Sequence, residues 1–596
     1  MTPPNQHAHP EVTAEYLRVF FEQLQRAGVH DVVVSPGSRS TPLAMAAYKQ
    51  YGDVYIDVDE RGAAFFALGL AKATGSPVAV VCTSGTAVAN WTPAVLEAES
   101  ARVPLLLLSA DRPPRLQNIS AAQTCDQKHL FGTHVRSFYQ MPVPSADADT
   151  LAYVRQVALD ICVAAHGVIP GATSCDGAPV HVNFPFDEPL LIAMNDQEHT
   201  AQQQPANAGL PSQITPGHIL YAADAKALAQ SIAHKGTVAL CGEGTCTNAD
   251  EAQALLQFAR TYHIPLLADP LSGLRSYQDP HVIDAYDAVY RAAEQPGGLQ
   301  AVIRFGRWPV SKAARTAIAS GDIHHIVVDV RDARDATATT TQLVRTTPMG
   351  FVQSMLQVAQ EGAPSASQDF ALAWTSCNAT ARDRIADVRI HGADDFEGTY
   401  IDQMLEMMPE YSLLFCANSM AIRALDTFYL AEDHTYTVLA NRGLAGIDGT
   451  LSSAFGASQA FEQTTVLIGD LAFIHDANAL AMQRELFAHA KHAGEQPPSI
   501  IVVVLNNNGG AIFDTLPQRS DADYFERLFL TPHDSLLRHL CLAFNVNHAA
   551  VSTIDDFRRQ YLQRLGVPGI NVIEVQLPLS GVADRYAPYW GTALKA

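Results

Sequence analysis

Short runs of aliphatic and β-branched residues recur along the whole chain, and helix-length stretches separate them. The runs are apolar throughout rather than alternating, so they predict strands buried on both faces, which is typical of parallel sheets covered by helices. The predicted strands span residues 31–34, 78–81, 105–108, 180–182, 238–240, 302–305, 326–330, 466–468 and 500–505. The pattern therefore predicts an α/β fold.

The length of the chain predicts several domains. Its 596 residues exceed what one hydrophobic core usually organises. Two polar segments, 195–213 and 362–368, lack a hydrophobic period and are interpreted as linkers. They predict three domains, at residues 1–195, 214–361 and 369–596.

Composition excludes several classes of function. The formal net charge of -22 leaves no basic footprint for a nucleic acid. Nine cysteines without a CxxC pair indicate neither a disulfide framework nor a zinc ribbon, which fits a reducing compartment. The longest apolar runs, 103–108 and 500–505, are too short to span a bilayer, and the polar start of the chain carries no targeting pattern. We expect a cytoplasmic protein that binds neither nucleic acid nor membrane.

Two polar clusters directly follow predicted strands. Gly469-Asp470-Leu471 comes after strand 466–468, and Asn506-Asn507-Asn508-Gly509-Gly510 comes after strand 500–505. Ligands of doubly wound sheets bind at the carboxyl ends of strands, so both clusters are expected at one crevice. Side-chain oxygens of Asp470 and Asn507, with a carbonyl near Gly509, would suit Mg²⁺. Ordinary turns are the alternative, since the same residues dominate turns.

The spacing of these clusters resembles the signature of thiamine diphosphate-dependent enzymes. The resemblance implies three doubly wound parallel-sheet domains, in the order pyrimidine-binding, central and diphosphate-binding. It implies thiamine diphosphate with Mg²⁺ or Mn²⁺ as cofactors. It also implies cofactor contacts from Gly469, Asp470, Leu471, Asn507 and Gly509, with Asp470, Asn507 and Gly509 binding the metal. Leu471 departs from the family's usual glycine.

Glu60 lies where a predicted strand gives way to a helix. The family carries a glutamate at such a junction, where it hydrogen-bonds the aminopyrimidine and favours loss of the thiazolium C2 proton, so Glu60 is implied as catalytic and cofactor-binding. A helix N-terminal acid is the alternative. Ser84, Gly85 and Asn90 follow strand 78–81 and resemble the family's turn beside the pyrimidine. In the family, the two coenzyme domains come from different subunits, which implies a homodimer or homotetramer with active sites at the interface.

Five further segments resemble one branch of this family, which decarboxylates 2-oxoglutarate and adds the succinyl unit to isochorismate in menaquinone and phylloquinone biosynthesis. They are residues 35–42, residues 111–114, Asn418-Ser419 with Arg423, residues 441–449 and residues 506–513. Those substrates carry several carboxylates, for which the arginine fork is suited. Four arginines in these or adjoining segments therefore fit such a site: Arg39, Arg112, Arg423 and Arg442.

The resemblance also assigns individual contacts. Isochorismate would be bound by Ser38, Arg39, Arg112 and Gln123, and the succinyl carboxylate or its neighbours by Ser419, Arg423 and Arg442. Lys312 would reach the substrate from the central domain. Ile447 would lie under the coenzyme as an apolar wedge, with Ile512 and Phe513 as pocket walls. Ala313 stands where the family often has a second cation, which Arg307 could replace. Surface or ion-pair roles are the alternative for each arginine.

Three other interpretations stay open. Residues 238–244 half-match a dinucleotide fingerprint, although Thr247 stands where a third glycine is needed. A different thiamine carboligase, such as an acetolactate synthase or a 2-oxo acid decarboxylase, would act on small apolar substrates that do not require four arginines. A scaffold protein that had lost its chemistry would not need Glu60, Asp470 and Asn507.

Overall fold

The computed structural model describes residues 9–167, 176–193, 219–520 and 522–591. The chain divides into two compact units. The first comprises Met1–Thr215, Asn441–Glu462 and His475–Pro498, and the second comprises Pro216–Ala440, Gln463–Ile474 and Ser499–Ala596. The described residues contain three six-stranded sheets, in which all strand pairings are parallel. No helix in these ranges is long and apolar enough to cross a membrane.

The first sheet has the strand order β2-β1-β3-β4-β6-β5. Its inner strands β3 and β4 are buried at every position, as their apolar runs require. The strands are β1 (Val32–Val34), β2 (Tyr55–Ile56), β3 (Val78–Cys82), β4 (Leu105–Asp111), β5 (Ser137–Gln140) and β6 (Pro179–Pro185). The helices are α1 (Pro10–Arg26), α2 (Thr41–Tyr51), α3 (Glu60–Thr74), α4 (Thr86–Ala89), α5 (Thr92–Ala101) and α6 (Ala148–His166).

The central sheet has the order β12-β11-β10-β7-β8-β9. Its strands are β7 (Gly236–Cys241), β8 (Leu266–Ala268), β9 (Val282–Ile283), β10 (Leu299–Phe305), β11 (His324–Val328) and β12 (Thr340–Val344). Its helices are α7 (Ala222–Ile232), α8 (Ala249–Tyr262), α9 (Tyr286–Arg291), α10 (Lys312–Ala319) and α11 (Pro348–Gln360).

The third sheet has the order β14-β13-β15-β16-β18-β17. Its strands are β13 (Leu413–Cys416), β14 (Thr437–Ala440), β15 (Gln463–Gly469), β16 (Ser499–Asn506), β17 (Asn547–Val551) and β18 (Gly569–Gln576). The helices of this part of the chain are α12 (Gln368–Ala386), α13 (Val388–His391), α14 (Glu397–Met407), α15 (Met420–Phe428), α16 (Thr450–Ala457), α17 (Asp470–His475), α18 (Met482–Ala493), α19 (Ala522–Tyr524), α20 (Leu537–Ala543), α21 (Ile554–Arg564) and α22 (Val582–Trp590). Helices α16 and α18 belong to the first unit.

The α/β fold with parallel sheets is confirmed, and all nine predicted strands are present. One strand is shifted: residues 326–330 were predicted, but β11 ends at Val328. The Asp329 carboxylate accepts the N–H groups of Arg331 and Asp332 at 2.8 and 3.2 Å, which starts a turn there. Each predicted domain range contains one sheet, while the domain boundaries themselves stay a prediction. The proposed linker at 195–213 lies outside the described residues.

Candidate active site

Asp470 and the asparagine cluster lie at the same edge of the third sheet. Gly469 ends β15 opposite Leu505 of β16, so the residues that follow the two strands leave the sheet side by side. The Asp470 carboxylate accepts the N–H of Gly509 at 2.9 Å and its own neighbour Leu471 N–H at 2.6 Å. The structure therefore brings together Asp470, Leu471 and Gly509 at the carboxyl ends of β15 and β16.

The oxygen atoms at this edge fit a divalent cation. Asp470 is 2% exposed, and burial raises the pKa of its carboxyl above the usual range, with the N–H groups of Gly509 and Leu471 opposing that shift. The Asn507 side-chain oxygen is buried and has no hydrogen-bond partner among the described residues. A buried oxygen without a donor is costly, and a hard cation would satisfy it. No group of three or more His, Cys, Asp or Glu side chains in the described ranges is arranged for a metal, so amide, backbone and diphosphate oxygens would have to complete the set.

Gly509 is required by a close approach of the backbone. A Cβ atom at this position would lie 2.2 Å from the Leu530 carbonyl oxygen, which also accepts the Gly510 N–H at 2.7 Å. The segment before Leu530 therefore packs on the asparagine cluster. Ile512 and Phe513 are half-buried in a short 3-10 helix within this segment, and the Phe513 ring lies 5.4 Å from that of Phe529.

His533 was missed by the sequence analysis. Its Nε2 atom lies 3.4 Å from the Asp470 carboxylate, and its Nδ1 atom accepts the Ser535 N–H at 2.9 Å. The adjacent Asp534 exchanges hydrogen bonds with the Asn508 side chain at 2.8 and 2.9 Å. No fixed spacing links His533 to the strand-end motifs, so the sequence carried no signal for it.

Glu60 is the first residue of α3. The helix is capped by Asp59, whose carboxylate accepts the N–H groups of Arg61 and Gly62 at 3.0 and 3.4 Å. The Glu60 carboxylate is therefore not used as the cap. It instead accepts a hydrogen bond from the Asn90 side chain at 3.0 Å, which brings together two of the predicted coenzyme contacts.

The turn after β3 gathers four predicted residues. The Ser84 hydroxyl donates to the Gln123 carbonyl at 3.1 Å, and the Gln123 amide donates back to the Ser84 carbonyl at 2.9 Å. Arg112 donates to the same Gln123 carbonyl at 2.7 Å and also contacts the Ser84 hydroxyl. Gly85 has a φ of +83°, and a Cβ there would lie 3.0 Å from the Gln123 side chain. Hydrogen bonds and close packing thus hold four predicted residues together: Ser84, Gly85, Arg112 and Gln123.

Arg39 lies close enough to Arg112 for their charges to interact. Burial, and then the charge of Arg39, lower the pKa of the Arg112 guanidinium below its usual range. Arg39 donates to the Phe186 carbonyl at 3.1 Å and lies 3.3 Å from the Glu188 carboxylate. Its Nε atom is buried without a partner in the described ranges. A bound carboxylate would relieve this repulsion and use the remaining donor.

The segment with Arg442 and Ile447 is held by Glu97, a buried residue that the sequence analysis did not single out. The Glu97 carboxylate accepts the N–H groups of Gly443 and Leu444 at 2.7 and 2.6 Å. Arg442 is half-buried, and Ile447 is 37% exposed, as an apolar group available for contact would be.

The remaining predicted contacts are spread over several elements. Ser419 directly precedes α15 with a φ of +63°, and Arg423 on that helix donates to the Ser419 carbonyl at 2.6 Å. Lys312 is exposed at the first position of α10, whose N-terminus is capped by the Ser311 side chain. Ser38 is exposed in the loop before α2.

The glycines of the possible dinucleotide motif serve packing. A Cβ on Gly242 would lie 1.9 Å from the Arg307 carbonyl oxygen, and one on Gly306 would lie 2.3 Å from the Glu243 carbonyl oxygen. The Arg307 N–H donates to that Glu243 carbonyl at 3.0 Å. The loops after β7 and β10 are thus packed backbone to backbone, which disfavours a phosphate cradle. The Arg307 guanidinium lies 3.7 Å from the Glu243 carboxylate.

Comparison with known proteins identifies the family of the chain. The family model described as "Thiamine pyrophosphate enzyme, N-terminal TPP binding domain" matches residues 15–130. A relative from Listeria monocytogenes serovar 1/2a, named 2-succinyl-5-enolpyruvyl-6-hydroxy-3-cyclohexene-1-carboxylate synthase, is 36% identical over 586 residues, which cover 95% of each chain. A relative of the same name from Geobacillus thermodenitrificans is 38% identical over 568 residues, covering 94% of this chain and 93% of the relative. The chain therefore belongs to the family of thiamine diphosphate-dependent 2-succinyl-5-enolpyruvyl-6-hydroxy-3-cyclohexene-1-carboxylate synthases.

Proposed function

We propose that this chain decarboxylates 2-oxoglutarate and adds the resulting succinyl unit to isochorismate by 1,4-addition. The product would be 2-succinyl-5-enolpyruvyl-6-hydroxy-3-cyclohexene-1-carboxylate, an intermediate of menaquinone or phylloquinone biosynthesis. Similarity over nearly the whole chain to relatives named for this product supports the proposal. The structural observation that carries it is the Arg39 Nε atom, which is buried without a partner among the described residues and lies close to Arg112, since two adjacent guanidinium groups suit a carboxylated acceptor.

The residues of the third sheet would hold the coenzyme by its diphosphate. We propose that the side-chain oxygens of Asp470 and Asn507, with a carbonyl near Gly509, bind Mg²⁺ or Mn²⁺. Gly469 and Leu471 would flank the diphosphate. When bound, the thiazolium ring of the coenzyme supplies the electron sink for decarboxylation. The unpartnered Asn507 oxygen supports this assignment.

Residues of the first unit would orient and activate the pyrimidine ring. The Glu60 carboxyl group would hydrogen-bond the aminopyrimidine ring nitrogen and so favour the imino form, and Asn90 fixes the direction of that carboxyl group. Ser84 and Gly85 would border the ring, and Ile447 would support the coenzyme from its apolar side. Ile512 and Phe513 would be walls of the pocket.

Cationic and hydroxyl groups would bind the substrates. Ser38, Arg39, Arg112 and Gln123 would contact isochorismate, and their side chains all belong to the first unit. We assign the succinyl carboxylate or its neighbours to Ser419, Arg423 and Arg442. Lys312 is proposed as a further contact from the central domain.

The proposal includes a homodimer or homotetramer with active sites at the subunit interface, located in the cytoplasm. Apolar side chains near the predicted contacts support an interface. Val58, two residues before Glu60, is 76% exposed, and Leu444, two residues after Arg442, is 60% exposed. Contiguous exposed apolar patches mark interaction surfaces, and in the proposed assembly these two side chains would contribute to such a patch.

The experiment is an activity assay on the purified protein. With Mg²⁺ and thiamine diphosphate, we expect release of CO₂ from 2-oxoglutarate, loss of isochorismate absorbance and a product of the corresponding mass. The same protein without coenzyme, and the Glu60→Gln variant, serve as controls. Turnover of pyruvate with isochorismate left unchanged would contradict the proposal and favour another thiamine carboligase.

A further inference from the structure

A chain of buried amide groups lies behind the Ser84 turn. Gln127 is 1% exposed and Asn183 is 0% exposed, so neither side chain can touch a substrate. Buried amides of this kind are costly unless every donor and acceptor is satisfied. Their hydrogen bonds therefore show what the two side chains hold in place.

Gln127 connects the turn to the sheet. Its side-chain oxygen accepts the Gly85 N–H at 2.9 Å. Its amide nitrogen donates to the Asn183 side-chain oxygen at 2.8 Å and to the Ala110 carbonyl at 3.2 Å. A flipped amide would set its N–H groups against the Gly85 N–H, so only one orientation fits.

Asn183 extends the chain of hydrogen bonds across the first sheet. Its oxygen also accepts from the Ser109 hydroxyl at 2.8 Å. Its nitrogen donates to the Asp111 carboxylate at 2.9 Å and to the Gln140 side-chain oxygen at 3.0 Å. Both the donor and the acceptor ends of this amide are fixed as well.

The far end of the chain fixes the start of the Arg112 loop. The other oxygen of the Asp111 carboxylate accepts the Arg112 N–H at 2.7 Å and the Gln117 amide at 2.9 Å. Arg112 in turn contacts Ser84 and Gln123. The hydrogen bonds therefore form a closed ring, which passes from Gly85 through the buried amides to Arg112 and back to the turn.

We propose that Gln127 and Asn183 are positioning residues, which hold the Arg112 loop against the turn that contains Gly85, in the position that the isochorismate carboxylates require. This inference rests on the proposed function and deepens it. The ring holds Arg112 against Gln123, and both are assigned to isochorismate. Ser419 and Arg423, which are assigned to the succinyl carboxylate, belong to the second unit. Disturbing the ring should raise the KM for isochorismate more than the KM for 2-oxoglutarate.

The test uses a charge swap within the ring. Asn183→Asp places a carboxylate against Asp111, and we expect the KM for isochorismate to rise by about tenfold or more, with the KM for 2-oxoglutarate changed less than about twofold. The double variant Asn183→Asp with Asp111→Asn restores one amide and one carboxylate, so it should recover most of the loss. Gln127→Met, which removes the hydrogen bonds without adding charge, should give the same split between the two KM values.

Asn378→Asp is the matched control. Asn378 is also a buried amide that donates to an aspartate, Asp284, at 3.1 Å, but it belongs to the second unit, on α12 beside β9. This variant should lower the thermal midpoint and leave both KM values unchanged. Equal increases in both KM values for Asn183→Asp, or no recovery in the double variant, would overturn the positioning role.

Hydrogen exchange at the Gly85 amide separates this inference from the proposed reaction. Asn183→Asp and Gln127→Met should both reduce the protection of that amide, whatever the substrate is. Reduced protection with an unchanged KM for isochorismate would overturn the positioning role and leave the reaction standing. A wild-type protein that consumed no isochorismate would contradict the proposed function itself, even if the exchange result were as expected.

Discussion

The central and third sheets have the same number of strands and are both entirely parallel, but their carboxyl edges differ. After β7 and β10, Gly242 and Gly306 let two loops pack directly on each other's carbonyl groups. After β15 and β16, the Asp470 carboxylate is buried and the Asn507 oxygen has no partner within the described residues. One edge is closed by backbone, and the other presents oxygen atoms.

The comparison shows that a glycine after a parallel strand does not by itself indicate a ligand site. Glycine permits a close approach, which another loop or a phosphate can use equally well. What distinguishes the third sheet is the set of polar atoms that the protein leaves for another group to satisfy. Function therefore has to be argued from those side chains and not from the shared fold.

The largest effect is expected from Asp470→Ala. Loss of the buried carboxylate should weaken the apparent affinity for thiamine diphosphate in Mg²⁺ by about 100-fold or more. Isothermal titration calorimetry measures this directly. Asp329→Ala is the matched control, because Asp329 directly follows β11, a parallel strand of the central sheet. The coenzyme affinity of this variant should equal that of the wild type. Equal losses in both variants would break the distinction between the two edges.

Glu60→Gln should separate coenzyme binding from coenzyme activation. The glutamine keeps a hydrogen-bonding side chain at the start of α3, so the affinity for thiamine diphosphate should change only a few-fold. Hydrogen–deuterium exchange at the thiazolium C2 atom should slow by about 100-fold or more, which is the usual contribution of general acid–base catalysis. NMR of acid-quenched samples measures that exchange. An unchanged rate would remove Glu60 from the catalytic role.

Gly242→Ala tests the closed edge. The added Cβ would collide with the Arg307 carbonyl, so the two loops must separate, and we expect a loss of about 2 kcal/mol or more in stability. Denaturant titration measures the loss. The coenzyme affinity of the molecules that remain folded should be unchanged. Gly297→Ala is the control, since nothing lies within 4 Å of a Cβ there.

The smallest effect is expected at Asp57. Its carboxylate is buried like that of Asp470, but no ligand is assigned to it. Burial raises the pKa of Asp57 to about 7, with the charges of Asp59 and Asp476 contributing. Because the folded pKa lies above the unfolded one, the stability linked to its protonated form is full below about pH 4 and is lost as pH rises through about 7. Asp57→Asn should therefore be more stable than the wild type at pH 8 and equally stable at pH 4. An equal difference at both pH values in thermal denaturation would contradict this.

The buried strands could be predicted from the sequence, because continuous runs of apolar residues are a local pattern. The proximity of Asp470 to the asparagine cluster could also be predicted, because both directly follow such strands. Edge strands such as β5 and β17 could not be predicted from the sequence, because they contain polar residues and are only partly buried. Glu97, Gln127 and His533 were also missed. Each acts through a hydrogen bond or close contact with a residue far away in the chain, so no local pattern identifies it.

Residues 476–489, between β15 and β16, do not form one continuous helix. Residues Ala477–Ala481 form a 3-10 helix, and α18 begins only at Met482. The Asp476 carboxylate, which could have capped a longer helix, instead accepts the N–H and hydroxyl of Ser452 at 2.8 and 3.0 Å. The Asp476 carboxylate is thus used in a tertiary contact and not as a helix cap. The pattern of apolar residues along the chain cannot reveal such a contact.

The most direct test of the difference between the two edges is a crystal structure of the protein grown with thiamine diphosphate and Mn²⁺, with anomalous diffraction used to locate the metal. We predict an anomalous peak within coordination distance of the Asp470 carboxylate and the Asn507 side-chain oxygen, at the end of β15 and β16. A peak at the loops after β7 and β10, or a bound coenzyme with no peak beside Asp470, would contradict the account.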